Sequence, residues 1–221
     1  MSANTVKIWD SFTRVYHLSQ LILLALLWYT GEEGMFEWHF IAGFTLLALW
    51  LTRIFWGFAG SQTSRFSHFI KSPVTVVKAW RNNDIARPHV GHNPVGAYMV
   101  MALLLTLGLQ LTTGLFSSDD VFSEGPLYAL VSDDVAAFMV SWHKTLFDVL
   151  LILIAVHALA GVLHVIRGDN VIAAIFTGRK KHKTLPEHTS DMRFKNGLVG
   201  ILVWVLLAAL VNYFGLNLSS Y

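Results

Sequence analysis

Five histidines, His17, His39, His143, His157 and His164, lie inside or at the edge of long apolar stretches of the chain. An imidazole in lipid is costly unless it is paired or ligated, so each is a candidate for chemistry. The competing use is a hydrogen bond to a backbone carbonyl or a neighbouring helix, which would account for a lone histidine. The spacing of these residues argues for more. His157 follows His143 by 14 residues, roughly 21 Å along a helix at about 1.5 Å per residue. Fourteen steps of about 100° return nearly to the same face, so both rings point one way. Pairs of imidazoles from facing helices suit the two axial positions of a haem iron held in a bundle core. A zinc site fits less well, because it wants three or four protein ligands and no carboxylate or thiol stands beside the pairs.

The elements that must position these residues are membrane helices. The chain has 221 residues, 54% hydrophobic and 14% charged, with eight Trp and a mean hydropathy of +0.53. Soluble domains carry nearer a quarter charged residues, so the composition points to a lipid bilayer as solvent. Five apolar stretches, at about 15–31, 38–58, 94–116, 141–166 and 197–215, approach or reach the 20 or so residues needed to cross. The expectation is an all-α integral membrane bundle, one membrane domain over 1–221. Asn93-Pro94 makes a helix start, with Asn as N-cap and Pro at the first helical position. Val6–Arg14 reads as an amphipathic lead-in without a cleavage site, so no cleavable signal peptide is expected.

Charge sorts by loop. Of the 16 Lys and Arg, all but Lys144 fall in the N-terminal segment, the second loop (60–93), the fourth loop (167–196) or the helix ends facing them. The first loop holds Glu32, Glu33 and Glu37, and the third (117–140) holds Asp119, Asp120, Glu124, Asp133 and Asp134, neither with a basic residue. The positive-inside rule then places the N-terminus in the cytoplasm and the C-terminus outside, which five spans satisfy. With that orientation His39 lies level with His143 near the outer boundary, and His17 with His157 on the cytoplasmic side. Gly43, Ala155, Ala158 and Gly161 could make room for a flat macrocycle, or equally allow close helix packing. His164, seven residues after His157 on nearly the same face, is a rival ligand or a propionate contact. His89 and His92 read as a solvated loop and a helix-start contact, and His68, His182 and His188 as surface residues. Cysteine is absent, which excludes disulfides, thiolate-held iron–sulfur clusters and covalent haem attachment.

The segments Arg14-Val-Tyr-His17, His39-Phe-Ile-Ala-Gly43, Arg53-Ile-Phe-Trp56, Gly91-His-Asn-Pro94 and His143 with His157-Ala-Leu-Ala-Gly161-Val-Leu-His164 resemble the bacterial cytochrome b561 family. Trp56-Gly-Phe-Ala-Gly-Ser61 and the His-Asn-Pro run are similar to hydrogenase-type cytochrome b subunits. The resemblance covers roughly Val6 to Arg179. It implies a four-helix, di-haem electron carrier that exchanges electrons with membrane quinones, with His17, His39, His143 and His157 as axial ligands of two haem b. The fifth helix departs from that pattern and could be a docking or homodimer surface. Basic groups near the haems are natural propionate partners: Arg14 and Arg53 for the inner haem, Lys144 for the outer. The positive-inside bias alone would also place Arg14 and Arg53, and Lys144 could instead pair with Asp148 one turn on.

The leading functional expectation is electron transfer between the quinone pool and a periplasmic redox partner in the bacterial inner membrane. Eight outer acids would steer a basic partner such as a c-type cytochrome, or an oxidoreductase or hydrogenase subunit. The same charge disfavours superoxide, the alternative substrate within the family. A haem-free anchor or assembly subunit is the rival class. A small transporter is disfavoured by the absence of internal repeats, and nothing suggests nucleic-acid binding.

Overall fold

A computed structural model describes residues 5–82, 91–118, 123–181 and 192–219. The fold is an all-α membrane helical bundle with one two-stranded ribbon. Helices run over Ser11–Glu32 (α1), Phe36–Ala59 (α2), Phe66–Phe69 (α3), Pro73–Arg81 (α4), Pro94–Gly114 (α5), Asp133–Ile166 (α6), Val171–Thr177 (α7) and Gly197–Leu218 (α8). Strands Thr5–Lys7 (β1) and Arg179–Lys181 (β2) pair antiparallel, with Val6 opposite Lys180.

Among the described residues, α2, α5, α6 and α8 are long and apolar enough to cross a membrane. The expected first span corresponds to α1, whose 22 residues have the length but a more polar composition. Thr13, Arg14, His17, Ser19, Gln20, Thr30 and Glu32 dilute it, and several of them serve the sites described below. Helix α6 begins eight residues earlier than expected, at Asp133, and takes Asp133 and Asp134 out of the acidic loop into its first turn. Acids are favourable at a helix N-terminus, which accounts for the earlier start. Its 34 residues extend about 51 Å, well beyond the 30 Å or so of hydrocarbon. The second loop, expected to be simply polar, contains α3 and α4.

The chain divides into two compact units. The first comprises 1–17, 53–102 and 154–201. Its core centres on Phe12, with no exposed surface, whose ring lies 5.1 Å from that of Trp56 and 6.2 Å from that of Tyr16. A Cβ on Gly200 would meet the Phe12 ring at 2.7 Å, so only glycine lets α8 approach here. Gly178 ends α7 with φ at +74°, the left-handed conformation that glycine adopts without penalty. Its carbonyl accepts from the Ile8 and Trp9 amides, fastening the ribbon to the start of α1.

The second unit comprises 18–52, 103–153 and 202–221. Leu46, Leu49, Leu104, Leu107 and Leu150 form its buried interior. The Trp50 indole donates to the Leu104 carbonyl at 2.9 Å, over Gly108, where a Cβ would meet the ring at 2.6 Å. Helix α8, the helix without a place in the four-helix pattern, is tied to α2. Trp204 donates to the Thr45 carbonyl at 3.3 Å and Asn212 to the Thr45 hydroxyl at 3.1 Å.

Asp10 organises the start of α1. It is 1% exposed; its Oδ1 accepts from the Thr13 amide at 2.7 Å and its Oδ2 from the Trp56 indole at 3.0 Å. Replacing it removes an N-cap and strands a buried indole N–H. Asp10→Ala is expected to cost about 1–3 kcal/mol, read as a lower thermal unfolding midpoint in detergent, with Asp10→Asn losing less.

Candidate functional site

Four of the histidines come together as two pairs, each inside one unit. In the first, His17 of α1 and His157 of α6 have ring centroids 6.4 Å apart, with planes at 39°. In the second, His39 of α2 and His143 of α6 have centroids 6.4 Å apart, with planes at 71°. A metal–imidazole bond is about 2.0 Å, and the bonded nitrogen lies about 1.2 Å from its ring centre. Two rings on opposite sides of one metal ion therefore have centroids about 6.4 Å apart. Both pairs have that separation. No group of three or more His, Cys, Asp or Glu positioned to hold a bare metal ion exists among the described residues.

The His39–His143 pair is oriented by hydrogen bonds that sequence reasoning missed. The Thr30 hydroxyl donates to the Leu26 carbonyl at 2.8 Å, which leaves its oxygen to accept from His39 Nδ1 at 3.2 Å. His143 Nδ1 donates to the Gln110 carbonyl at 2.9 Å. Each bond fixes the proton on Nδ1 and leaves Nε2 with its lone pair, the tautomer a metal needs. The Gln110 side-chain amide lies 3.1 Å from His143 Nε2, and its Oε1 is buried without a partner. An iron at that nitrogen would require this amide to turn aside. Gln110 was legible as a signal, being an amide within the apolar run of α5. Glycines seat both rings: a Cβ on Gly31 would meet His39 Cε1 at 3.3 Å, and one on Gly114 would meet His143 Cε1 at 3.0 Å. Gly43 has only Leu27, at 3.9 Å, near its missing Cβ. Lys144 is exposed on α6, about 100° round the helix from His143, and makes no ion pair with Asp148.

The His17–His157 pair has a different surrounding. His17 Nδ1 is buried with no hydrogen-bond partner. Arg53 is 4% exposed, and its Nη1 is likewise buried without one. Its guanidinium lies 5.9 Å from the Tyr16 ring centre and 5.2 Å from that of Phe66, but no carboxylate pairs with it among the described residues. Arg14 donates to the Phe176 carbonyl, while its Nε is buried and unpartnered. Arg53 feels the Asp10 carboxylate only through its charge, and both guanidiniums keep a buried nitrogen without a hydrogen-bond partner, which is unfavourable. Space beside Gly161 is open, with only Ile172 near, at 3.8 Å.

His164 has another engagement. Asn93 Oδ1 caps α5 by accepting from the Gly96 amide at 2.6 Å, which turns its Nδ2 to donate to His164 Nε2 at 3.1 Å. His164 Nδ1 lies 3.7 Å from Asp169 Oδ2, and Asp169 is in turn paired with buried Lys180 at 2.5 Å. The Nε2 lone pair of His164 is therefore already used. His92 corrects the expectation of a solvated loop. Its ring packs 5.0 Å from that of Trp9 and 4.8 Å from that of Phe69, and its Nδ1 is buried and unpartnered. Burial first, then the positive charge of Arg53 and the neighbouring His157, push its pKa down to about 3, so the ring is neutral. His89, His182, His188, Asp119 and Asp120 lie outside the described residues.

The residues present fit a porphyrin with axial imidazoles: paired rings at the right separation, tautomers in the His39–His143 pair set for Nε2 ligation, small residues alongside, and guanidiniums with buried unpartnered nitrogens. A family model described as prokaryotic cytochrome b561 matches residues 8–178. No curated protein and no solved structure gives a match. The matched stretch contains both histidine pairs, Arg14, Arg53, Asn93 and His164, and it is more than half of the chain. The chain belongs to the prokaryotic cytochrome b561 family, and is accordingly a multi-pass membrane b-type cytochrome that binds haem b and transfers electrons.

Proposed function

We propose that the chain holds two haem b, one on His17 and His157 and one on His39 and His143, and carries electrons between membrane quinone and a periplasmic redox partner. The observation that carries the reading is the centroid separation of 6.4 Å in both pairs, the value expected of two imidazoles on one iron. The haem irons supply one-electron carriers; the protein's own groups position and charge-balance them. Thr30 and the Gln110 carbonyl hold the rings of the second pair and raise their basicity. Arg53, with a buried unpartnered Nη1, receives a propionate of the first haem, and Arg14 Nε offers a second donor. His157 is preferred to His164 as ligand because its ring faces that of His17 at 6.4 Å, whereas His164 is engaged by both Asn93 and Asp169.

The basic loops support a reading with the N-terminus in the cytoplasm of a bacterial inner membrane and the His39–His143 pair toward the periplasm. Glu32, Glu33, Glu37, Asp133 and Asp134 are exposed in the same unit as that pair. They present an acidic surface to which a basic redox protein would be steered.

The purified chain is expected to contain two haems per polypeptide by pyridine haemochrome assay. His17→Ala, His157→Ala, His39→Ala and His143→Ala should each leave about one, whereas His164→Ala should retain both. Haem loss in the His164 variant with two haems kept in His157→Ala would reverse the assignment, and a haem-free wild type would end the reading. Gly114→Ala forces its Cβ against His143 Cε1. It should keep both haems yet shift the low-spin electron paramagnetic resonance signal and midpoint potential of only one. Electron transfer to a basic c-type cytochrome should slow at least about tenfold from low ionic strength to 0.15 M or so, as charge steering is screened; a salt-independent rate would remove the acidic docking surface.

A further inference from the structure

The first unit carries a second polar feature, remote in sequence from both histidine pairs. Gln62, Arg65, Ser67, His68 and Arg193 line an open cavity of about 390 Å³, within the range of small-molecule sites. Its frame is fixed. The Gln62 amide donates to the Arg193 carbonyl at 3.0 Å, and the Arg193 amide donates to Gln62 Oε1 at 3.1 Å. Arg65 Nε donates to the Gly60 carbonyl at 2.8 Å, which directs the rest of its guanidinium away from the backbone. The lining holds two guanidiniums, an imidazole, a hydroxyl and an amide, and no carboxylate. Neither Arg65 nor Arg193 is in an ion pair among the described residues. Burial, then the positive charges of Lys71 and Arg65, lower the pKa of His68.

The depth of the cavity is set by the helices it adjoins. Gln62 follows the last residue of α2, Ala59, by three positions, and Arg193 precedes the first residue of α8, Gly197, by four. Both helices are apolar enough to span, so the cavity lies where headgroups begin. Next along the chain, α4 carries Val74, Val77 and Trp80, which are 63%, 54% and 69% exposed, with Ala79 buried on the opposite side. Three exposed apolar side chains at i, i+3 and i+6 make one lipid-seeking stripe, flanked by Lys71, Lys78 and Arg81. A short helix of that pattern, with an interfacial Trp, lies in the membrane boundary.

We propose that this cavity binds the phosphodiester headgroup of an anionic phospholipid, with α4 lying in the same interface beside the lipid's acyl chains. The shared chemistry is a phosphate oxyanion gripped by two guanidiniums. The exposed apolar stripe of α4 favours a lipid over free phosphate as its source, and a basic site at headgroup level on the loop side rich in Lys and Arg suits an anionic leaflet.

Native mass spectrometry of the full haem-loaded chain in detergent tests this, using phosphatidylglycerol, phosphatidylcholine of the same acyl chains, and inorganic phosphate as probes. One phosphatidylglycerol should bind per chain at least tenfold more tightly than phosphatidylcholine. Arg193→Gln, at an exposed residue, should weaken that binding at least fivefold, and Arg65→Gln with Arg193→Gln should abolish the preference. Haem content, which these variants should leave unchanged, reports that they fold. Equal binding of the two lipids, or an undiminished preference in the double variant, would overturn the proposal. Displacement of phosphatidylglycerol by millimolar inorganic phosphate would overturn the lipid as occupant and leave an inorganic anion site.

Discussion

An imidazole nitrogen inside a membrane must be given a partner, and the histidines here are arranged around that requirement. Along α6 the chain places two rings 14 residues apart, and each meets a ring from another helix at 6.4 Å. At that separation the facing nitrogens cannot bond each other directly, yet each pair can share one metal atom. Rings held merely by interhelical hydrogen bonds would close until donor met acceptor. The gap is therefore informative, and it is preserved by other contacts. Thr30 and the Gln110 carbonyl draw His39 and His143 back by their Nδ1 atoms, and Gly31 and Gly114 let the rings lie against helix backbone.

The first pair lacks such restraints, His17 Nδ1 being buried without a hydrogen-bond partner. Its unit contains Arg53 and Arg14 with buried, unpartnered nitrogens. A neutral His92, closely packed by Trp9 and Phe69, adds no counter-charge. A protein could neutralise those cations with its own acids, and elsewhere in the same unit it does so where Asp169 pairs with Lys180. Around Arg53 the Asp10 carboxylate acts only through its charge, and Nη1 keeps no hydrogen-bond partner. Under the proposed function, haem propionates would supply partners for those nitrogens.

The pairing of the four histidines was legible because depth in a membrane is nearly one-dimensional. Helix direction, read from Lys and Arg in the loops, and residue count along α6 suffice to rank the rings. The same helices brought Arg53 and His17 to one side without knowledge of packing. What could not be read depended on contacts between distant segments. His92 looks solvated in a Gly-His-Asn-Pro loop until Trp9 and Phe69 close over it. His164 reads as a rival ligand by face and spacing, and its contact with Asn93, 71 residues away, could not be read from the sequence. Helix ends were misjudged where capping chemistry outweighs hydropathy, as at Asp133, and α4 was hidden because nine residues with a mixed face fall below any span-length criterion.

The last helix shows how a structural addition can serve the site without touching it. The family match ends at residue 178, before α8 begins. Helix α8 is the most apolar of the long helices, yet it spends an indole and an amide on Thr45 of α2. Both bonds come from the face that also packs Gly215 against Phe44, where a Cβ would meet the ring at 2.6 Å. Polar anchors in lipid are individually modest, about 0.6 kcal/mol on average, but they fix register along a helix more sharply than apolar contact does. Thr45 stands between His39 and Arg53 on α2, six residues after one and eight before the other. Locking α2 at Thr45 therefore constrains the axial position of a ring and of a guanidinium together, and a slip of α2 by one residue would move each by about 1.5 Å. Bonded at Thr45, α8 fixes the register of the helix that carries both His39 and Arg53.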